Sequence, residues 1–271
     1  KIVSLTSNPS SPLGAISDFS LYIPGKTEMG HDEDYHGRQL LGLSYSPLTP
    51  LGTLYELRTL FTELSLIDSI IGGTDVKACY MELCELAREY APRLEDFKRL
   101  YGVLPKPRSA QNPLAGKTVV IGEGLSGVLG KFFVTRLRHC ARKDEERECY
   151  FFKDKGSLYV NENDLTLVIS GSGEGIPYRL AKRAKTKNVK VAAIISYPNS
   201  SLAKMADVSI IIPGREIQRV KGLRSSYVPK DPRKSIFELR ALLSLETFIY
   251  AIAQTEGITE KEMRGKHSDF I

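Results

Sequence analysis

The sequence predicts an α/β protein built on a doubly wound parallel sheet. Three observations carry that prediction. From Thr118 onward, short apolar runs alternate with helical patterns. Two of those runs end in glycine-rich turns, at 122–127 and 170–175, that open directly into helices. Finally, residues 1–25 repeat residues 190–214 without a gap, with ten identities in 25 positions, among them Ser11/Ser200, Leu13/Leu202, Asp18/Asp207 and Pro24/Pro213.

Composition sets the bounds. A chain of 271 residues with 42% hydrophobic content can bury one or two sizeable cores. A net charge of +6 permits an acidic ligand without naming one. The seven Lys/Arg between Arg215 and Lys234 face two acids, Glu216 and Asp231, and read as a solvated loop near an anionic ligand. With no Trp and no interleaving of aromatic and basic residues, nucleic-acid binding is not expected. The four cysteines show no C-x-x-C spacing and the four histidines no paired-ligand motif, so free thiols, no metal and a cytoplasmic setting are expected. No apolar run approaches the roughly eighteen residues of a membrane span, and no signal peptide opens the chain. The chain starts at Lys1 without Met, as a fragment or a processed form would.

In order along the chain, Ile2–Leu5 reads as a strand, followed by a turn, a short helical piece and a strand at Phe19–Ile23 closed by Pro24-Gly25. Tyr55-Glu56-Leu57-Arg58 opens a long apolar-periodic helix, as Phe237-Glu238-Leu239-Arg240 does in the second copy. The pattern from Val76 to Leu100 is helical and kinked or broken near Pro92. Val103–Pro113, with three prolines, reads as a linker. Thr118–Ile121 is then a strand, Val128–Cys140 a helix, Cys149–Phe152 a strand, and Leu165–Ile169 a buried strand leading into a helix through Ile176, Leu180, Ala181 and Ala184. In the first copy the front half of this arrangement is missing. Residues 1–73 are expected to be the back half of a module, 74–113 a helical segment and linker, and 114–271 a complete second module. The strands at Ile2 and Phe19 are then expected to leave a sheet edge that a second chain or upstream residues cover.

The turn Ser170-Gly171-Ser172-Gly173-Glu174-Gly175 is the first candidate site. Backbone N–H groups at a helix start, with two hydroxyls beside them, make an anion site suited to phosphate. Gly171 and Gly173 let the backbone approach a ligand, while Ser170 and Ser172 can donate hydrogen bonds. An ordinary tight strand-to-helix turn would carry the same residues.

Gly-x-Gly-x-Ser-Gly at 122–127, Ile-Ser-Gly-Ser-Gly-Glu at 169–174 and Ser-x-Pro-x-Ser-x-Leu-x-x-x-Ala-Asp ending in Ile-Pro-Gly resemble a SIS (sugar isomerase) domain. Arg38-Gln39-Leu40-Leu41-Gly42, Leu48-Thr49-Pro50-Leu51-Gly52-Thr53-Leu54-Tyr55-Glu56 and the tail Met263-Arg264-Gly265-Lys266-His267 resemble 6-phospho-3-hexuloisomerases within that family. The resemblance implies a five-stranded parallel sheet flanked by helices. It also implies homo-oligomers with sites where modules or subunits meet, a phosphorylated sugar as ligand, and no cofactor. Ser126, Ser170 and Ser172 match positions that hold the sugar phosphate, and Gly124, Gly127 and Gly171 beside them are candidate substrate-binding residues. Glu56 and Glu238 match a carboxylate that is a candidate base, and His267 matches a tail histidine that is a candidate for ring opening or proton transfer. The implied reaction is an intramolecular oxidoreductase-type isomerisation of a hexulose 6-phosphate through an enediol, which one carboxylate or imidazole can carry without metal.

The sequence departs from that pattern in four places. Gly175 stands where Thr is usual, Lys230–Ser235 replaces the Leu-Thr-Pro-Leu-Gly-Thr loop, the first copy has no tail histidine, and the usual closing Glu of the tail is absent. A phosphosugar-binding module without chemistry, sensing or regulatory, is therefore the alternative. Asp18 and Asp207 read as helix-to-strand turn residues, and His31 and His36 as part of a solvated polar loop.

Overall fold

The structure, a computed structural model, describes residues 1–24, 53–154, 159–215, 217–219, 227–229 and 236–268. Its contacts divide the chain into two compact units, Lys1–Glu85 with Thr259–Ile271, and Leu86–Ile258. Arg38–Gly42, the loop 48–52, Lys230–Ser235, and His31 and His36 lie outside the described residues.

The first unit begins with β1 (Val3–Thr6), α1 (Pro12–Ile16) and β2 (Phe19–Tyr22), and β1 and β2 pair in parallel. α2 (Thr53–Gly72) and most of α3 (Val76–Arg88) follow, with α9 (Glu260–Ser268) from the far end of the chain. The second unit holds α4 (Leu94–Val103), β3 (Thr118–Gly122), α5 (Gly124–His139), β4 (Cys149–Phe151), β5 (Leu165–Ser170), α6 (Gly175–Lys185), β6 (Lys190–Ile195), α7 (Ser201–Met205), β7 (Val208–Ile211) and α8 (Ile236–Glu256). Between β7 and α8 an antiparallel pair forms from β8 (Ile217–Arg219) and β9 (Tyr227–Pro229).

The main sheet is five-stranded, fully parallel and ordered β4-β3-β5-β6-β7. Its strands are almost continuously apolar because both faces are covered. Val119, Ile121, Val168, Val191, Ala193 and Ile195 pack on Ala181 and Ala184 of α6 and Leu202 of α7. Val120 faces the other way, where a β-carbon on Gly130 of α5 would lie 3.2 Å from it. On that side the Phe97, Phe248 and Phe133 rings tie α4, α8 and α5 into one layer, at 4.6 and 6.3 Å between centroids. A buried Arg136–Glu246 pair at 3.2 Å adds a second link between α5 and α8.

The repeat is preserved in geometry. α1 and α7, and likewise β2 and β7, correspond residue for residue at a shift of 189, and Val3↔Phe19 matches Ala192↔Val208 in strand register. Ser11 accepts from the Gly14 amide and Ser200 from the Ala203 amide, each at 3.2 Å, as N-caps. Asp18 accepts from the Ile2 amide at 2.6 Å and Asp207 from the Val191 amide at 2.7 Å. Both aspartates thus tie a turn to a strand start. The surroundings of the two copies differ. Leu202 is 0% exposed beneath the main sheet while its counterpart Leu13 is 50% exposed, and β1 has β2 as its one partner among the described strands.

Two expectations about elements need correction or sharpening. The helix expected from Val128 starts at Gly124, so Ser126 and Gly127 belong to its first turn and not to a loop. Of the glycines that suggested a turn, Gly124 takes φ +55° at the helix start with open space at its β-position, whereas a β-carbon on Gly127 would lie 2.9 Å from the Gly122 carbonyl oxygen; further along, one on Gly130 would lie 3.0 Å from Phe151. The pattern broken near Pro92 resolves into two helices, of which α4 packs on β6 and β7 of the main sheet.

Candidate functional site

The strand order reverses direction between β3 and β5, and both connections there leave the carboxyl ends of their strands as helix N-termini. That is the crevice in which open α/β sheets hold ligands. α5 follows Glu123 and α6 follows Glu174, and neither N-cap side chain bonds its own helix. The first amides of both helices therefore face the crevice with the positive ends of their dipoles.

The turn after β5 is held by its own polar groups. Ser170 Oγ accepts from the Gly173 amide at 3.1 Å and Ser172 Oγ from the Glu174 amide at 3.3 Å, which leaves each hydroxyl hydrogen to donate outward. Glu174 turns away from the crevice, where Oε1 accepts from the Ser201 amide at 2.7 Å and so caps α7. Gly173 sits at φ +67°, and a β-carbon on it would come within 2.2 Å of Ser200 Oγ. Gly175, read from sequence as a lost hydroxyl, sits at φ +73° at the start of α6, a backbone conformation that threonine resists.

Across the crevice, α8 brings Glu238 in its first turn. Ser126 of α5 donates to Glu238 Oε1 at 3.2 Å, and Arg215 Nη1 stands 3.7 Å from the same oxygen. Burial pushes the Glu238 carboxyl above its ordinary value of 4.5, opposed first by the Arg215 charge and also by the Ser126 bond. Arg215 lies directly over Gly171, where a β-carbon would meet its Cδ at 2.4 Å and Nη1 at 2.7 Å, with Phe237 at 3.1 Å. Its backbone amide is fixed by Ser196 Oγ at 3.0 Å.

The structure thus gathers Ser126, Glu238, Gly171 and Arg215 beside the Ser170–Glu174 turn. Glu56 is on α2 and His267 on α9, both in the first unit, and their side chains lie outside the described residues. Arg215 was not singled out from the sequence. The signal for it was in the repeat, where a basic residue follows Ile-Pro-Gly in both copies, Lys26 and Arg215.

A SIS domain model matches residues 115–229, the span that contains both glycine turns. The chain is 30% identical over 159 residues to a 3-hexulose-6-phosphate isomerase of Methylomonas aminofaciens, covering 57% of this chain and 81% of that protein. The chain belongs to the SIS domain family. A crystal structure of a hypothetical protein, 27% identical, matches at a TM-score of 0.54 over 70% of this SIS chain and 96% of its own. A candidate phosphosugar isomerase of Bacteroides fragilis shares the fold at a TM-score of 0.51 and 19% identity, covering 76% of this chain and 98% of that one. Among the described residues, no helix is long and apolar enough to cross a membrane.

Proposed function

We propose that this SIS chain isomerises a hexulose 6-phosphate through an enediol, with the phosphate seated on the Ser170–Glu174 turn and Glu238 as the base. The observation that carries this reading is the Ser126–Glu238 contact at the edge of an anion-binding turn. A carboxylate made more basic by burial and held by a hydroxyl in the first turn of α5 suits removal of a proton alpha to a carbonyl. The dipoles and the Arg215 guanidinium would stabilise the enediolate that results. Similarity to 3-hexulose-6-phosphate isomerases supports the choice of substrate class. On this reading Gly124, Ser126, Gly127, Ser170, Gly171 and Ser172 form the phosphate and substrate contacts. Glu56 as a second candidate base, His267 as a candidate for ring opening or proton transfer, and a homo-oligomeric assembly belong to the same reading. The module boundaries at 1–73, 74–113 and 114–271 belong to the same reading. So does a reducing, cytoplasmic setting, expected from four cysteines without C-x-x-C spacing.

The test is fructose 6-phosphate in heavy water, followed by NMR at the carbons beside the carbonyl. Deuterium incorporation that disappears in Glu238→Gln supports the isomerase. Binding without incorporation supports the second reading, a phosphosugar-binding module. That reading is favoured by Gly175 and by the replacement of the Leu-Thr-Pro-Leu-Gly-Thr loop at 230–235.

A further inference from the structure

Arg215 sits between the two halves of the site. Its Nη1 is 3.7 Å from Glu238 Oε1, and the same atom and Cδ cover the face of Gly171 in the phosphate turn. Gly171 has no side chain to hold it off, Phe237 backs the turn, and the Ser196 bond fixes the Arg215 backbone while its guanidinium can pivot. We propose that Arg215 is a positioning residue that couples phosphate binding to Glu238, its guanidinium leaving the carboxylate for the phosphate of a seated sugar phosphate. This rests on the phosphosugar reading of the site and adds a direction to it: the anion that docks the substrate also frees the base.

Charge and geometry argue for the exchange. A guanidinium offers five donors in a planar fork that matches phosphate oxygens, and a phosphate dianion outcompetes a single carboxylate oxygen at 3.7 Å. Glu238 is also faced by the Ser126 hydroxyl from α5 and by the backbone amide at the start of its own helix, neither of which changes charge. Arg240, two residues on and half a turn round α8, is directed instead at the Leu86 and Pro213 carbonyls and at Glu89. Among the described residues, the charge that opposes burial at Glu238 is that of Arg215. Once Arg215 leaves, the buried carboxylate loses the charge that opposes burial and becomes a stronger base.

The experiment is titration calorimetry with fructose 6-phosphate in buffers of different ionisation enthalpy, from acid to neutral pH. It compares the unmodified protein with Glu238→Gln, Arg215→Gln and Arg215→Lys. The unmodified protein is expected to take up protons on binding in excess of Glu238→Gln. Most of that excess disappears in Arg215→Gln, which also binds roughly tenfold more weakly, and part of it returns in Arg215→Lys. If turnover is found, the acid limb of kcat lies above that of kcat/KM in the unmodified protein, and the two limbs converge in Arg215→Gln. Equal proton uptake in all four proteins overturns the coupling and leaves the phosphosugar reading standing. An unmodified protein that does not bind fructose 6-phosphate overturns both.

Discussion

Ser126 and Glu238 stand 112 residues apart in sequence and meet at 3.2 Å, the hydroxyl donating and the carboxylate accepting. The contact joins the first turn of α5 to the first turn of α8, so the helix that follows β3 and the long closing helix share one polar point. Glu238 is 5% exposed there. A buried carboxyl raised above its ordinary value favours the protonated form in the fold. Its contribution to stability is complete below the unfolded value and is lost as pH rises through the folded one.

Glu238→Gln removes that loss while keeping an acceptor for Ser126. The variant is expected to melt a few degrees higher than the unmodified protein at neutral pH and at the same temperature well below the carboxylate range. Deuterium exchange into fructose 6-phosphate should fall about a hundredfold or more. A variant no more stable at neutral pH would mean that burial does not oppose ionisation of Glu238.

The two glycines at positive φ in the turn make opposite demands. Gly173→Ala meets Ser200 Oγ at 2.2 Å as well as an unfavourable backbone, whereas Gly175→Ala meets open space and pays the backbone cost alone. Gly175→Ala is expected to lose about 1–2 kcal/mol and keep phosphosugar affinity. Gly173→Ala should lose more than that and bind poorly, because Ser170 and Ser172 are set by this turn. Chemical denaturation and calorimetry with fructose 6-phosphate read both effects, and equal losses would show that contact with Ser200 is not limiting.

Much of this architecture is legible in the sequence because buried parallel strands are nearly pure apolar runs. The 25-residue repeat, at a shift of 189, predicts α1 and α7 at matching positions, and the structure adds the Ser11 and Ser200 caps. The start of α5 was not legible. Gly124, Gly127 and Gly130 suppress a helical pattern; Gly124 is set by a positive φ, and the need for the other two arises from Gly122 and Phe151, which approach only in three dimensions. Arg215 was hidden for a similar reason. Its mark in the sequence is the basic residue that follows Ile-Pro-Gly in both copies, and its place over Gly171 emerges once the chain after β7 meets the turn after β5.

Ser170 and Ser172 each accept a backbone amide, so both have a structural role beside any ligand role. Their replacement separates the two. Ser172→Ala, at the half-buried position, is expected to leave stability within about 0.5 kcal/mol and weaken fructose 6-phosphate binding roughly tenfold. Ser170→Ala, at the buried position, should weaken binding by a similar factor and also cost about 1 kcal/mol of stability. Calorimetry against unchanged denaturation midpoints checks the first, and a Ser172→Ala protein with full affinity would reduce that serine to a turn former.

Arg58 and Arg240 occupy equivalent places in the repeat and do the same thing with different commitment. Arg58 Nη1 donates to the Pro24 carbonyl at 2.6 Å, and Arg240 Nη1 to the Pro213 carbonyl at 3.0 Å. Arg240 is also buried and donates through Nε and Nη2 to the Leu86 carbonyl at 2.9 and 2.6 Å, with Glu89 at 3.3 Å. Removing Arg240 takes a buried guanidinium and three part-buried hydrogen bonds from two carbonyls, so Arg240→Ala is expected to cost about 2–3 kcal/mol. Arg58 is partly exposed, and solvent can replace its bond, so Arg58→Ala should cost about 1 kcal/mol or less. Denaturant unfolding of the two variants measures the difference directly. Equal costs would mean that the first copy depends on its arginine as heavily as the second, although its sheet has two described strands where the other has five.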